Sequence, residues 1–289
     1  MHVALLSGFA DDGAFDERRQ RNMTEYAVRQ TVDGLYVGGS SAEAALMGRD
    51  ELAAQLGLVA DLARGKTLIA HVGQPSTRDS IHLAGVARDA GYHAVSALPP
   101  FSFPYSIDQI ADFYRAIADG CGLPLIVYEV PSRVGRASPL EQLETILALD
   151  GVAGMKFTSP DLFLLRRLQK RFTDRIFFFG IDEMFAAAAA LGVDGGIGTT
   201  YNLIGGLYRR IYDAVAASDV GTARELQYLS QDLVEHIFRV GVIPGVKHLL
   251  SLHGVDCGPC RLPLKLGAAE HVEAMTRWFR SGALDAHLA

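Results

Sequence analysis

Lys156 is the residue of this chain whose surroundings ask most clearly for chemistry. It stands near the end of an otherwise uncharged run, Val152-Ala153-Gly154-Met155-Lys156. Strand alternation puts it on the same face as Val152 and Gly154, where the glycine leaves it room. A lysine turned into a protein interior loses hydration, its pKa falls, and the free amine can add to a carbonyl as a Schiff base; the alternative is a lysine that snorkels to the rim. Tyr128, in the run Leu125–Val130, points inward with Ile126 while Val127 and Glu129 face the other way. A phenol there can pass protons as general acid and base, or cap the interior as an ordinary aromatic. Gly38-Gly39-Ser40-Ser41 can offer backbone N–H groups and hydroxyls to a carboxylate, or serve only as a turn. Asp182, Glu183 and Thr199 stand just beyond two later apolar runs. His71 reads as a histidine satisfied inside the fold, and Cys257 with Cys260 as structural, since no second pair with metal spacing exists. Gly195-Gly196-Ile197-Gly198 lacks the spacing of a phosphate loop.

These residues need a frame that brings separated segments of the chain to one rim. Short β-rich runs occur at Val3–Leu6, Leu35–Val37, Thr67–Val72, Ala94–Leu98, Leu125–Val130, Val152–Phe157, Ile176–Phe179 and Gly195–Thr199, each followed by an amphipathic helical segment. Parallel strands require crossover helices, and eight right-handed βα units are the number that closes a (β/α)₈ (TIM) barrel, so the chain is predicted to be an α/β protein of that class. Its active site is then expected at the carboxyl ends of the strands, where the residues above lie. After Ser218 the strand signal stops, and helical segments follow near Val220–Val240, Pro244–Leu252 and Ala268–Arg280. Residues 1–218 are therefore expected to form the barrel and 219–289 a carboxyl-terminal helical extension.

Composition narrows the function. The 289 residues are 49% apolar and 21% charged, ample for a globular core, and 27 Lys plus Arg against 33 Asp plus Glu give a net charge of -6. No global basic field exists to hold nucleic acid or an anionic membrane, so an anionic ligand must be met by local donors. The longest nonpolar run, Met184–Val193, is well short of the roughly 18 residues of a membrane span. Three cysteines are too few for a disulfide framework, and the amino terminus lacks a basic segment followed by a long apolar stretch; a cytoplasmic setting is the expectation.

With these residues in place, the chain resembles the pyruvate-dependent class I aldolases of the N-acetylneuraminate lyase and dihydrodipicolinate synthase family. The carriers are Gly38-Gly39-Ser40-Ser41-Ala42-Glu43, Tyr128-Glu129-Val130-Pro131-Ser132-Arg133-Val134-Gly135, Gly154-Met155-Lys156-Phe157-Thr158 and Gly180-Ile181-Asp182-Glu183. Ile69–Gly73, Ala94–Ala97 and Asp194–Asn202 look most like the N-acetylneuraminate lyase branch. The resemblance implies a lyase of N-acetylneuraminate or a close 2-keto sugar acid, without metal or organic cofactor, acting on a small 2-keto acid as a homotetramer. It implies that Lys156 is the Schiff-base lysine and Tyr128 the proton shuttle, that Ser40 and Ser41 bind the pyruvate carboxylate, and that Thr158, Gly180, Asp182, Glu183 and Thr199 hold the polyol. The chain departs from the family pattern at Ser41, Ala42 and Glu129, at Ser102, where a second tyrosine often stands, and at Arg133. In dihydrodipicolinate synthases an arginine there grips the aldehyde's carboxylate, so condensation of pyruvate with aspartate semialdehyde is the alternative, along with another 2-keto-3-deoxy acid aldolase and, outside enzymes, a keto-acid sensor.

Overall fold

The eight apolar runs form eight short parallel strands that pair in chain order and close on themselves, β8 returning to β1 through His2↔Ile197 and Val3↔Gly198. The computed structural model describes residues 1–135 and 137–289. The strands are β1 (His2–Ala4), β2 (Gly34–Val37), β3 (Thr67–His71), β4 (Ala94–Ala97), β5 (Leu125–Glu129), β6 (Val152–Phe157), β7 (Ile176–Phe179) and β8 (Gly195–Gly198). The helices are α1 (Glu17–Arg29), α2 (Arg49–Leu62), α3 (Thr77–Asp89), α4 (Ile107–Cys121), α5 (Pro131–Val134), α6 (Leu140–Leu147), α7 (Leu162–Arg171), α8 (Phe185–Ala190), α9 (Tyr201–Ala216), α10 (Val220–Val240), α11 (Val242–Leu252) and α12 (Ala269–Arg280). The (β/α)₈ barrel and the carboxyl-terminal helices expected from the sequence are both present.

Strand alternation builds two apolar layers. Ala4, Tyr36, Ile69, Ala94, Ile126, Phe178 and Ile197 meet inside the barrel, while their neighbours, among them Leu35, Val37, Val95, Val127 and Phe179, pack outward against the helices. Parallel strands buried on both faces read as continuous apolar runs, which is why the sequence pattern was legible. Side-chain oxygens start several helices by accepting an otherwise orphaned backbone N–H: Asp16 from Arg19 at 3.0 Å, Asp161 from Leu164 at 2.8 Å and Asp219 from Thr222 at 3.0 Å. The outer core continues without a break into α10 and α11 through Leu233, Val234, Ile237, Val246 and Leu249.

The structure revises one detail of β6. The β5–β6 register shifts between Leu125 and Ile126, so that Leu125 faces Val152 and Ile126 faces Gly154. The extra residue turns Val152 into the outer layer and sets Ala153 against the inner cluster; Val152 is therefore not on the Lys156 face, contrary to simple alternation. Nor does Gly154 serve to give Lys156 room. A Cβ there would collide with the backbone of Ile176 on β7, so the glycine permits close strand approach at the bulge. The sequence reading also took no account of the short helical turns at Ser40–Ala42, Ala44–Leu46, Pro131–Val134 and Asp182–Met184. Helix α9 carries a kink at Ile204.

Because the backbone of β7 must shift to admit a methyl group, Gly154→Ala should lower stability by about 1–3 kcal/mol. Urea unfolding would show a reduced midpoint with an unchanged slope; an unchanged midpoint would mean that the strand spacing there is not constrained.

Candidate active site

Lys156 and Tyr128 are Cα partners across β5 and β6. Lys156 is only 5% exposed, and its Nζ lies 4.3 Å from the ring centroids of both Tyr36 and Tyr128. Burial lowers the pKa of this amine; the Tyr128 phenol and Asp182 oppose the shift and Arg133 adds to it. A lysine so placed is released from its proton more easily than one in water, which a nucleophilic amine requires. Tyr36 and His71 complete the aromatic enclosure, with centroids 6.3 Å and 6.2 Å from the Tyr128 ring. Tyr36 donates its hydroxyl proton to Ser96 Oγ at 3.0 Å, and burial pushes its pKa well above the usual phenol value.

His71 is satisfied at both nitrogens, as expected. Nε2 faces the backbone N–H of Leu98 at 3.2 Å, an obligate donor, so Nε2 accepts and Nδ1 carries the proton toward Gly38 O at 3.2 Å. Burial, reinforced by Lys156, pulls the imidazole down to about 3 and keeps it neutral. The ring thus ties the Gly38 turn to the end of β4.

From Gly38, whose φ of +75° suits glycine, the chain enters the turn Ser40–Ala42. The first N–H groups of such a turn have no partner within it, and both Ser40 and Ser41 border the site. Ser41 Oγ is 2.7 Å from Thr199 Oγ1 at the end of β8, which β1 alone separates from β2. Glu43 then takes a left-handed conformation at φ 59° with its side chain fully enclosed. Its Oε1 accepts from Lys247 Nζ on α11 at 2.7 Å, and its Oε2 from the Arg261 N–H at 2.8 Å. Lys247 also donates to Pro259 O at 2.8 Å, and the Cys257 thiol to Lys247 O at 3.3 Å. Burial pushes Cys257 up to about 11 and Cys260 up to about 12, so both stay thiols. No group of three or more His, Cys, Asp or Glu that could hold a metal occurs among the described residues.

The opposite wall is acidic. Asp182 opens the turn after β7, and its Oδ2 accepts from the Thr200 N–H at 2.9 Å and Thr200 Oγ1 at 2.6 Å. Burial raises its carboxyl to about 6, against the Thr200 bonds and Lys156. Glu183 is half-buried, and Gln231 on α10 holds its backbone carbonyl at 2.9 Å. Thr158 Oγ1 is buried without a protein partner. A Cβ at Gly180 would strike that hydroxyl and lie 3.3 Å from Lys156 Cε, so the missing side chain opens space between them. Arg133 is exposed on α5 at the rim.

All ten residues singled out from the sequence, Lys156, Tyr128, Ser40, Ser41, Thr158, Gly180, Asp182, Glu183, Thr199 and Arg133, border one cavity of about 420 Å³, whose mouth is flanked by Val234, Ile237, Phe238 and Val242. A second cavity, about 340 Å³, lies against Val127, Tyr128, Glu129 and Met155; it shares Tyr128 with the first and is not bordered by Lys156. Ser102 belongs to that second cavity.

A model described as the dihydrodipicolinate synthetase family matches residues 1–280. The chain belongs to that family. It is 41% identical over 266 residues to an N-acetylneuraminate lyase of Rhizobium meliloti (strain 1021), covering 92% of this chain and 89% of that protein. The crystal structure of N-acetylneuraminate lyase from Fusobacterium nucleatum complexed with pyruvate superposes with a TM-score of 0.90 at 33% identity, over 100% of this chain and 97% of the other. A Clostridium difficile structure in complex with mannosamine gives 0.94 at 32% identity, over 97% and 98%.

In this family member, sequence reasoning overlooked Tyr36, Lys247 and Thr200. Tyr36 was within reach, since it alternates with the outward Leu35 and Val37 on β2. Lys247 and Thr200 carried no local signal; their partners are 204 and 18 residues away.

The Lys247–Glu43 pair is buried, so removing one partner strands the other charge. Lys247→Met should cost about 3–5 kcal/mol in denaturant unfolding, and adding Glu43→Gln should recover part of it. Equal losses in the single and double variants would mean that the ion pair is not what Lys247 contributes.

Proposed function

We propose that the protein is a pyruvate-dependent carbon–carbon lyase that cleaves N-acetylneuraminate, or a close 2-keto sugar acid, to pyruvate and an aldehyde (N-acetylmannosamine) through a Schiff base on Lys156. The observation that carries this reading is the desolvated Lys156 amine, 4.3 Å from the Tyr128 ring, at a cavity with hydroxyls on one wall and a pair of acids on the other.

In the reaction, neutral Lys156 attacks the C2 carbonyl while the substrate carboxylate rests on Ser40, Ser41 and the N–H groups of their turn. Tyr128 protonates the departing hydroxyl of the carbinolamine, water leaves, and an iminium remains. The phenolate then takes the C4 hydroxyl proton as the C3–C4 bond breaks, and the bonding pair passes into the iminium to give an enamine and the free aldehyde. Protonation at C3 and hydrolysis release pyruvate and the lysine. Asp182 and Glu183 accept hydrogen bonds from the polyol, the unpartnered Thr158 hydroxyl gains a partner there, and Thr199 joins this wall to Ser41. Residues 1–218 supply the chemistry in this reading and 219–289 brace it. The family likeness supports a cytoplasmic homotetramer that needs neither metal nor organic cofactor; no described helix is long and apolar enough to cross a membrane.

Arg133 at the rim favours a second reading, condensation of pyruvate with aspartate semialdehyde, because a guanidinium suits a second carboxylate.

Borohydride reduction in the presence of pyruvate should leave an adduct that mass spectrometry places on Lys156, and Lys156→Ala should abolish both adduct and turnover; an adduct on another lysine rejects the mechanism. Tyr128→Phe should still form the imine yet slow cleavage on the order of 10²–10⁴-fold, whereas near-normal cleavage would make Tyr128 a packing residue. Glu183→Gln should lower kcat/KM for N-acetylneuraminate more than Arg133→Leu does. Wild-type activity confined to the semialdehyde and lost in Arg133→Leu would establish the second reading instead.

A further inference from the structure

Behind Asp182 a run of hydroxyl groups leads out of the site into the carboxyl-terminal helices. Thr200 Oγ1, which donates to Asp182 Oδ2, lies 2.6 Å from Tyr208 Oη on α9, and that oxygen lies 2.7 Å from Ser230 Oγ on α10. The far end is Gln227. Two backbone groups fix its amide: Oε1 accepts from the Ala186 N–H at 2.7 Å, and Nε2 donates to Asp182 O at 3.1 Å. Nε2 therefore meets Ser230 Oγ, at 3.3 Å, as a donor too.

Each hydroxyl has one proton, so the ends set the direction of the run. With Gln227 donating at one end, Ser230 donates to Tyr208, Tyr208 to Thr200, and Thr200 to the carboxylate. The reverse direction would begin at a protonated Asp182 and leave the Ser230 proton without an acceptor in the run. The geometry is matched to the ionised acid, and Tyr208, Ser230 and Asp182 are all buried, where aligned donors polarise one another.

We propose that Tyr208 and Ser230 are positioning residues of this active site, which act through Thr200 to hold Asp182 as a fixed carboxylate acceptor for substrate hydroxyls. The inference rests on the reading that Asp182 receives the polyol. The ionisable groups facing Asp182 are Lys156 on β6, Glu183 beside it, and Tyr201 and Tyr208 on α9; from α10 it meets the neutral Gln227. Burial holds the acid near 6, and weaker donation from Thr200 would raise it further. An acid whose pKa rises loses its acceptor form at a higher pH, so the acid limb of sugar-acid cleavage should move upward.

The test is the ¹³C carboxyl titration of Asp182, assigned with Asp182→Asn, in the wild type, Tyr208→Phe, Ser230→Ala and Ser230→Thr. Tyr208→Phe and Ser230→Ala should raise the midpoint by about half a unit to one unit, and Ser230→Thr, which keeps the hydroxyl, should restore it. The acid limb of kcat/KM for N-acetylneuraminate should shift equally, while the pH profile of pyruvate trapping on Lys156 stays in place. An unchanged Asp182 midpoint in both variants, or an equal shift in the trapping profile, overturns the proposal. Should Tyr208→Phe misfold, Ser230→Ala removes a single oxygen and gives the same readout. A wild-type protein that traps pyruvate but leaves the sugar acid intact would overturn the substrate reading, and the carboxyl titration would still decide this one.

Discussion

Keeping the Lys156 amine away from water is the constraint on which the site depends. A charged ammonium is costly in a low-dielectric interior, so burial favours the neutral nucleophile. The rings of Tyr36 and Tyr128 lie against the amine, and desolvation outweighs the opposing pull of the Tyr128 phenol and of Asp182, so the pKa is lowered. The neighbours conform to the same requirement. His71 is held neutral and gives its one N–H to Gly38, and Tyr36 spends its proton on Ser96. Neither places a second positive charge beside the amine.

The loops that face Lys156 are too short to bury cores of their own, and the carboxyl-terminal segment steadies them. Its α11 lysine and the Arg261 backbone hold Glu43, at the end of the serine turn. Its α10 residues Gln227 and Gln231 hold the backbone of Asp182 and Glu183. Both contacts are polar and largely buried, so they fix geometry more than they add net stability. The two walls of the cavity are thereby set by helices outside the barrel's own eight βα units, and α10 adds Phe238, 60% exposed, at the mouth.

The chemistry of these walls differs in kind. The serine corner presents hydroxyls, suited to a small carboxylate, whereas the acidic turn presents acceptors suited to hydroxyl donors. A ligand complementary to both has an acid at one end and a polyol at the other, with its carbonyl between them at Lys156. Arg133 is the exception, an exposed cation at the rim whose charge reaches Lys156.

How far the sequence alone carried depends on the range of the forces involved. The eight strands were legible because parallel strands buried on both faces must be apolar along their length, and the helices because amphipathic periodicity is local. Lys156 was legible because a lone charged residue in such a run must face the interior or the rim, and Tyr128 because alternation sets it on the face of Ile126. Alternation failed at Val152, where the register with β5 inserts a bulge that β6 itself does not encode, and it misread Gly154, whose missing side chain answers to the β7 backbone. Only the tertiary structure decided that Tyr36 flanks the amine, that Lys247 pairs with Glu43, and that α10 ends a hydroxyl run at Asp182. Those contacts join residues far apart in the chain, and a hydrogen bond or ion pair between distant side chains leaves no periodic trace in the sequence.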